Sequence, residues 1–233
     1  AIAALIIAKP AAHWRDVLEP LDCCCTIVAT LDEKRGVLTA SGTLRYLNHS
    51  PDVLRELWIH QHLNAFRPGS QWSAADEREG RLRFQELRDP DYAYERFSSP
   101  PRVNGTAVTV EYPLSPDSTV ARFALPLPLA PGDSITVEFA WTARPSTVAR
   151  RQARRGRSFD FAQWYPKVAV YDRDGWKPNA LVPAGEFYGE FGAFDVTLVL
   201  PADQTIGATG VPVSGDPGYA RVMASGSERP RLA

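Results

Sequence analysis

The chain has 233 residues, 26 basic against 27 acidic, for a net charge of −1. Hydrophobic residues at 44% and charged residues at 23% supply a sizeable core and exclude wholesale disorder, and the even charge excludes a nucleic-acid surface as the main business of the molecule, since such domains carry a large basic excess. Twenty prolines and 16 glycines predict many turns and few long helices.

Residues Ala1 to Ala8 form an apolar octet ending at Lys9-Pro10, far too short for a bilayer span of about 20 residues. Residues 1–24 are read as an N-terminal tail; the octet is compatible with the remnant of a signal-peptide core, a turn of helix or a boundary artefact. The three cysteines are adjacent, Cys23, Cys24 and Cys25. Neighbours on a strand point to opposite faces, so no ordinary disulfide joins them, and no second cluster completes a zinc site; they read as small hydrophobes opening a strand.

From there the periodicity is that of strands. Thr26 to Leu31 leads through Asp32-Glu-Lys-Arg-Gly36, a hairpin loop, into Val37 to Leu47, where Leu38, Ala40, Gly42, Leu44 and Tyr46 alternate with polar residues at period two. Asn48 to Asp52 is a turn by composition. Leu54 to Leu63 is a third strand, with Leu57, Ile59 and Leu63 on one side and Trp58, His60 and His62 on the other. Ser73-Ala-Ala-Asp76 has capping-box spacing, so a short exposed helix is expected over Asp76 to Glu86. Asp89 to Tyr94 then reads as an excursion between strands.

Val103-Asn104-Gly105-Thr106 is a strong hairpin signal, because Asn-Gly adopts the positive backbone angles of a type I′ turn. Strands are expected at Ala107–Tyr112, Thr119–Leu125 and Ser134–Thr142, the last with Ile135, Val137, Phe139 and Trp141 inward. The loop Arg150 to Arg157 holds five arginines without an interleaved aromatic platform and reads as solvated. Pro166–Tyr171, Phe194–Pro201 and Thr205–Thr209 complete the set, and residues 213–233 read as a linker or truncated continuation. No alternation of strand and long helix appears. The expected fold is all-β: a large saddle-like β-sandwich of about ten or more mostly antiparallel strands, with a short helix or irregular excursion, over residues 25–212.

Among chemical constellations, His60 and His62 share a strand face as metal ligands would, yet no third ligand or activating carboxylate accompanies them. No Gly-x-Ser-x-Gly elbow, phosphate loop, dinucleotide fingerprint or His-Glu-x-x-His is present. The densest segment, Phe159 to Trp176, carries six aromatics and suggests a ligand or domain interface. It is followed by Gly185-Glu-Phe-Tyr-Gly-Glu-Phe-Gly192, whose Glu186 and Glu190 either serve a cleft or mark a tight, backbone-close turn.

These motifs carry a family resemblance. Tyr46-Leu-Asn-His-Ser-Pro-Asp52, Leu57-Trp-Ile-His-Gln-His-Leu-Asn-Ala-Phe66, Val103-Asn-Gly105, Gln163-Trp-Tyr-Pro-Lys-Val-Ala-Val-Tyr-Asp172 and Gly185 to Thr197 resemble, in order over about residues 26–212, the N-terminal β domain of aminopeptidase N-like zinc metallopeptidases (gluzincins), closest to the bacterial, exported branch. The resemblance implies a saddle-like domain preceding a thermolysin-like catalytic domain that holds the zinc, and an extracytoplasmic location.

Neither the family's zinc motif nor its Gly-x-Met-Glu-Asn strand occurs here, so no catalytic residue, metal ligand or cofactor is assigned to this chain. It is expected to be inactive alone; its partners would be its own catalytic domain and a peptide substrate, with no nucleic acid and no membrane span. By pattern, Gln163 matches the family residue that holds the substrate's free amine, with Trp164 and Tyr165 as an aromatic wall. Glu186, Tyr188 and Glu190 are candidates for the cleft or the domain interface. The downstream Val170-Tyr-Asp-Arg-Asp-Gly175 departs from the family's Pro-Cys-x-Asp-Glu-Pro, which leaves a buried structural amide open as the other reading of Gln163. The competing functions are a free-standing β-sandwich module that binds protein or glycan, and an independent hydrolase built on His60 and His62.

Overall fold

A computed structural model describes residues 2–8, 23–190 and 192–220; residues 9–22 and the tail from residue 221 lie outside the described residues. In chain order the elements are β1 (Ile2–Ala8), β2 (Cys23–Asp32), β3 (Val37–Leu47), β4 (Leu54–His60), α1 (Gln71–Arg78), β5 (Tyr94–Phe97), β6 (Arg102–Val103), β7 (Thr106–Ala107), β8 (Val120–Leu129), β9 (Ser134–Arg144), β10 (Ala153–Arg155), β11 (Ser158–Asp160), β12 (Lys167–Val168), β13 (Tyr171–Asp172), β14 (Gly175–Trp176), β15 (Gly192–Pro201) and β16 (Pro212–Ser214).

The alternation read in the sequence builds the main sheet. On β3, Leu38, Ala40, Leu44 and Tyr46 are buried while Thr39, Ser41, Thr43 and Arg45 are exposed. On β9, Ile135, Val137, Phe139 and Trp141 are buried, and the two strands run antiparallel from Leu38↔Ala143 to Leu47↔Ser134. Matched alternation keeps every apolar side chain of the pair on one face. The order across this nine-stranded sheet is β16-β1-β15-β2-β3-β9-β6-β7, with β5 also on β9. Among the described residues β15 and β2 pair parallel, and every other pairing is antiparallel.

A second, three-stranded sheet, β12-β4-β8, contributes Leu57, Ile59 and Phe123, all at 0% exposure, to the same apolar cluster as Ile27, Val137 and Trp141. Two sheets closing on one core make an all-β sandwich. Each such side chain contributes about 1.5–3 kcal/mol on burial. Polar groups at the joins are paired: wholly buried Asn48 donates to the Asp52 and Leu129 carbonyls at 2.8 and 3.1 Å and accepts from the Ser50 amide. The β6–β7 hairpin turns on Asn104 (φ 47°) and Gly105 (φ 80°), both left-handed, as a type I′ turn requires.

Several elements differ from expectation. The third strand stops at His60; Gln61 leaves the extended region and a 3-10 turn runs over His62–Ala65, closed by Asn64 N–H to the Gln61 carbonyl at 3.1 Å. The helix is Gln71–Arg78 rather than Asp76 to Glu86: Ser70, not Ser73, is the cap and accepts from the Ser73 amide at 3.0 Å. Asp76 is wholly buried rather than on an exposed face. Ala107–Tyr112 keeps only Thr106–Ala107 as strand plus the Glu111↔Arg122 bridge. Pro166–Tyr171 splits between β12 and β13, and Thr205–Thr209 is irregular, bonded through Ile206 N–H to the Pro217 carbonyl. The apolar octet forms β1, which pairs antiparallel with β15 from Ile2↔Pro201 to Ala8↔Asp195. Cys25 is half-buried, carries no disulfide and packs against the core.

Candidate functional site

The segment joining β11 to β12 places the aromatic motif at the edge of the core. Trp141 at 1% exposure anchors it, its indole N–H donating to the Trp164 carbonyl at 3.0 Å. From there the rings run outward: Trp141 to Trp164 at 6.1 Å, Trp164 to Tyr165 edge-on at 5.9 Å, and Tyr165 to Phe194 at 5.3 Å. Such tilted and edge-on contacts suit aromatic quadrupoles and fix each ring by its neighbours. The backbone ahead of them is strained. Gln163 has φ 52°, one of two non-glycine residues at positive φ among the described residues, a conformation that L side chains adopt at a cost and that clusters at functional sites.

That turn sets Gln163, Trp164 and Tyr165 along one groove of about 1010 Å³, whose other wall includes Leu31, Leu198 and Leu200. The groove's charged end is Arg157, which pairs with Asp203 at 2.8 Å. Gln163 Oε1 is buried and accepts no hydrogen bond among the described residues. A buried carbonyl oxygen without a donor is costly, so this atom is suited to an incoming N–H. An amide oxygen accepts from an ammonium, and rings beside it add cation–π attraction.

The other predicted residues stand apart from this groove. Glu186, 73% exposed, makes a two-pronged bond to Arg151 at 2.8 and 2.7 Å, and the Arg151 guanidinium holds its carboxyl below the usual range. Tyr188 is 56% exposed. Glu190 lines a small recess with Tyr46, His49, Lys167 and Tyr165, so Tyr165 borders both that recess and the Gln163 groove. A Cβ at Gly189 would meet only the far end of the Lys167 side chain, which can swing aside. At Gly185 a Cβ would crowd Val182, 3.2 Å from its side chain and 3.3 Å from its carbonyl oxygen, and the two glutamates face different cavities.

His60 and His62 do share a face. Their rings stack 4.6 Å apart at 11°, and Phe187 closes on His62 edge-on at 4.9 Å. Imidazole lone pairs lie in the ring plane, so two near-parallel stacked rings cannot both aim at one ion. Burial pushes His60 down to about 4, against a raising backbone hydrogen bond at Lys177, and the charge of Lys167 lowers it further. Burial, His60 and Lys167 push His62 well below the ordinary range. Both are neutral spacers at pH 7. Among the described residues no group of three His, Cys, Asp or Glu side chains stands together as a metal site.

Two features escaped sequence reading. Glu95 is wholly buried, and neither carboxyl oxygen has a hydrogen-bond partner among the described residues, and Arg81, Arg83, Arg150 and Arg151 meet along a second cleft. The signals available for the latter were Arg81 and Arg83 in the expected exposed helix and Arg150 and Arg151 in the loop read as solvated, and neither stretch alone announces the other.

No protein-family model matches this sequence, and no curated protein matches it. Among solved structures, the chain is similar to a mutant two-domain M1 zinc metallopeptidase bound to L-arginine, at 15% identity over 83% of this chain and 36% of that one, TM-score 0.43. It is likewise similar to a mutant M1 zinc metallopeptidase from Deinococcus radiodurans bound to a Tyr-Ser-Ala substrate (15% identity, 82% and 35% covered, TM-score 0.43). A third is the M1 zinc metallopeptidase of the same organism (16% identity, 83% and 35% covered, TM-score 0.43). The chain spans little more than a third of the length of those structures.

Proposed function

We propose that this chain is the non-catalytic N-terminal β domain of a zinc-dependent aminopeptidase, forming one wall of the substrate cleft and receiving the free α-ammonium of a peptide at Gln163. The observation that carries the reading is the Gln163 amide, held on a left-handed backbone with a buried, unpaired Oε1 at the head of an aromatic-lined groove. The ordered motifs over about residues 26–212 support it, as does the all-β fold. In this reading the zinc, which activates the attacking water, is held by the catalytic domain, and the whole enzyme works outside the cytoplasm. This chain's share is binding and orientation: Gln163 accepts from the ammonium, while Trp164 and Tyr165 flank the cation and exclude water.

The test is steady-state hydrolysis of aminoacyl anilides by the full-length protein carrying Gln163→Ala or Gln163→Glu. The alanine variant is expected to raise KM about tenfold, the loss of one charge-assisted hydrogen bond, and the glutamate variant to restore it, since a carboxylate also accepts from ammonium. Indifference to Gln163→Ala would sink the amine contact and favour a β-sandwich binding module.

A further inference from the structure

A second cleft, of about 520 Å³, lies between α1 with its trailing arginines, the basic segment before β10 and the Gly185–Phe187 stretch. Its lining carries four guanidinium groups, from Arg81, Arg83, Arg150 and Arg151, against the single carboxylate of Glu186, over an apolar floor that includes Phe66, Trp72 and Phe187.

The wall is built from behind. Wholly buried Asp76 accepts from Arg83 Nε at 3.0 Å and Nη2 at 2.6 Å, and from Arg81 Nε at 3.0 Å. These bonds fix two planar groups and, among the described residues, leave the Nη1 edge of Arg83 uncommitted. Arg150 is exposed and makes no side-chain hydrogen bond or ion pair among the described residues. Arg151 lies over the Phe187 ring at 5.4 Å and grips Glu186 with two nitrogens. His62 packs edge-on against Phe187, so the stretch carrying Glu186 is anchored at the rim.

We propose that this cleft binds a carboxylate-bearing peptide segment and that Glu186 occupies the carboxylate position until such a segment arrives. A guanidinium fork matches a carboxylate with two parallel N–H···O bonds, and the Arg151–Glu186 pair displays that match at this place. Its partners are 59% and 73% exposed, and exposed pairs of this kind hold weakly, so exchange for an external carboxylate costs little. The external segment gains what Glu186 does not reach: Arg150, the free edge of Arg83 and the aromatic floor. Asp76 and Glu79 offset Arg81 and Arg83 from behind and Glu186 offsets Arg151, so the remaining excess, the Arg150 guanidinium beside the exchangeable Arg151 pair, selects an anionic partner, and the floor of rings selects a peptide over a bare anion. The inference does not rest on the aminopeptidase reading, since the cleft is separate from the Gln163 groove.

Calorimetric titration of the whole chain tests it. The probes are a fully blocked tetraglutamate peptide, carrying side-chain carboxylates, and an acetylated tetraglutamine peptide with a free C-terminus; fully blocked tetraglutamine and inorganic phosphate are the controls. At least one carboxylate peptide is expected to bind, with Glu186→Gln tightening it about three- to tenfold and the double variant Arg150→Ala/Arg151→Ala weakening it at least about tenfold. Which carboxylate peptide binds identifies the source. The altered residues are exposed, and unchanged thermal melts confirm that folding is intact. Absence of binding by both carboxylate peptides, phosphate binding as tightly, or a Glu186→Gln variant that binds no better overturns the proposal.

Discussion

Asp76 and Glu95 are both at 0% exposure, yet they stand in opposite chemical states. Burial works to raise both carboxyls. At Asp76 the hydrogen bonds and charges of Arg83 and Arg81 outweigh it and hold the group below the usual carboxylate range. At Glu95 no cation among the described residues compensates, and burial outweighs the lowering influence of the Leu63 backbone and pushes the carboxyl well above its ordinary value. One is an anion that organises the wall of a cleft; the other is a neutral acid inside the core. Depth sets the penalty, and the partner decides which form of the group survives it.

Removing the anion is the harshest way to press this contrast. Asp76→Ala takes the carboxylate from Arg83 and leaves Arg81 to Glu79 alone, and is expected to cost about 3 kcal/mol in urea unfolding; a loss below about 1 kcal/mol would show that the network is dispensable. The histidine stack, buried beside like charge, comes next. The unfolded chain takes up protons near 6.5, which folded His60 refuses until about 4. Stability is therefore fully present above pH 6.5 and is lost as pH falls toward 4, by about 3 kcal/mol from this residue; melts from pH 7.5 to 4.5 should show the decline, and His60→Gln should lessen it, His62 keeping the remainder. Glu95 has the opposite sign. Its contribution is complete below 4.5 and is lost as pH rises toward its raised folded value, so Glu95→Met is expected to gain about 1 kcal/mol at pH 8 and to remove that alkaline decline. The mildest change is Glu186→Gln, which should leave the unfolding midpoint where it is, because its partner is equally solvated.

The sheet was largely legible in the sequence. Period-two alternation located β2, β3 and β9 because each buries one face only, and Asn104-Gly105 declared its turn through backbone angles that few other residues accept. What escaped depends on distant partners. Asp76 looked like an exposed helix residue because Arg81 and Arg83 return to it only after the chain turns at Gly80. Ile2–Ala8 lacked alternation, and a uniformly apolar run does not announce a strand until its neighbours β15 and β16 are known. Gln163 stood out in the sequence only by its resemblance to a family pattern, and its left-handed backbone and its oxygen without a partner among the described residues were not legible there. The four-arginine cleft was invisible for a related reason: its doublets sit on separate elements, and charge runs read one at a time look solvated.

The pairing of β1 carries a consequence for assembly. Its hydrogen-bonding partners are β15 and β16, so a nascent polypeptide must keep seven sticky apolar residues out of trouble until nearly all of the described chain has been synthesised. Contacts of such sequence separation are slow to close, and this ribbon is accordingly the place where refolding in vitro should stall or misassociate first.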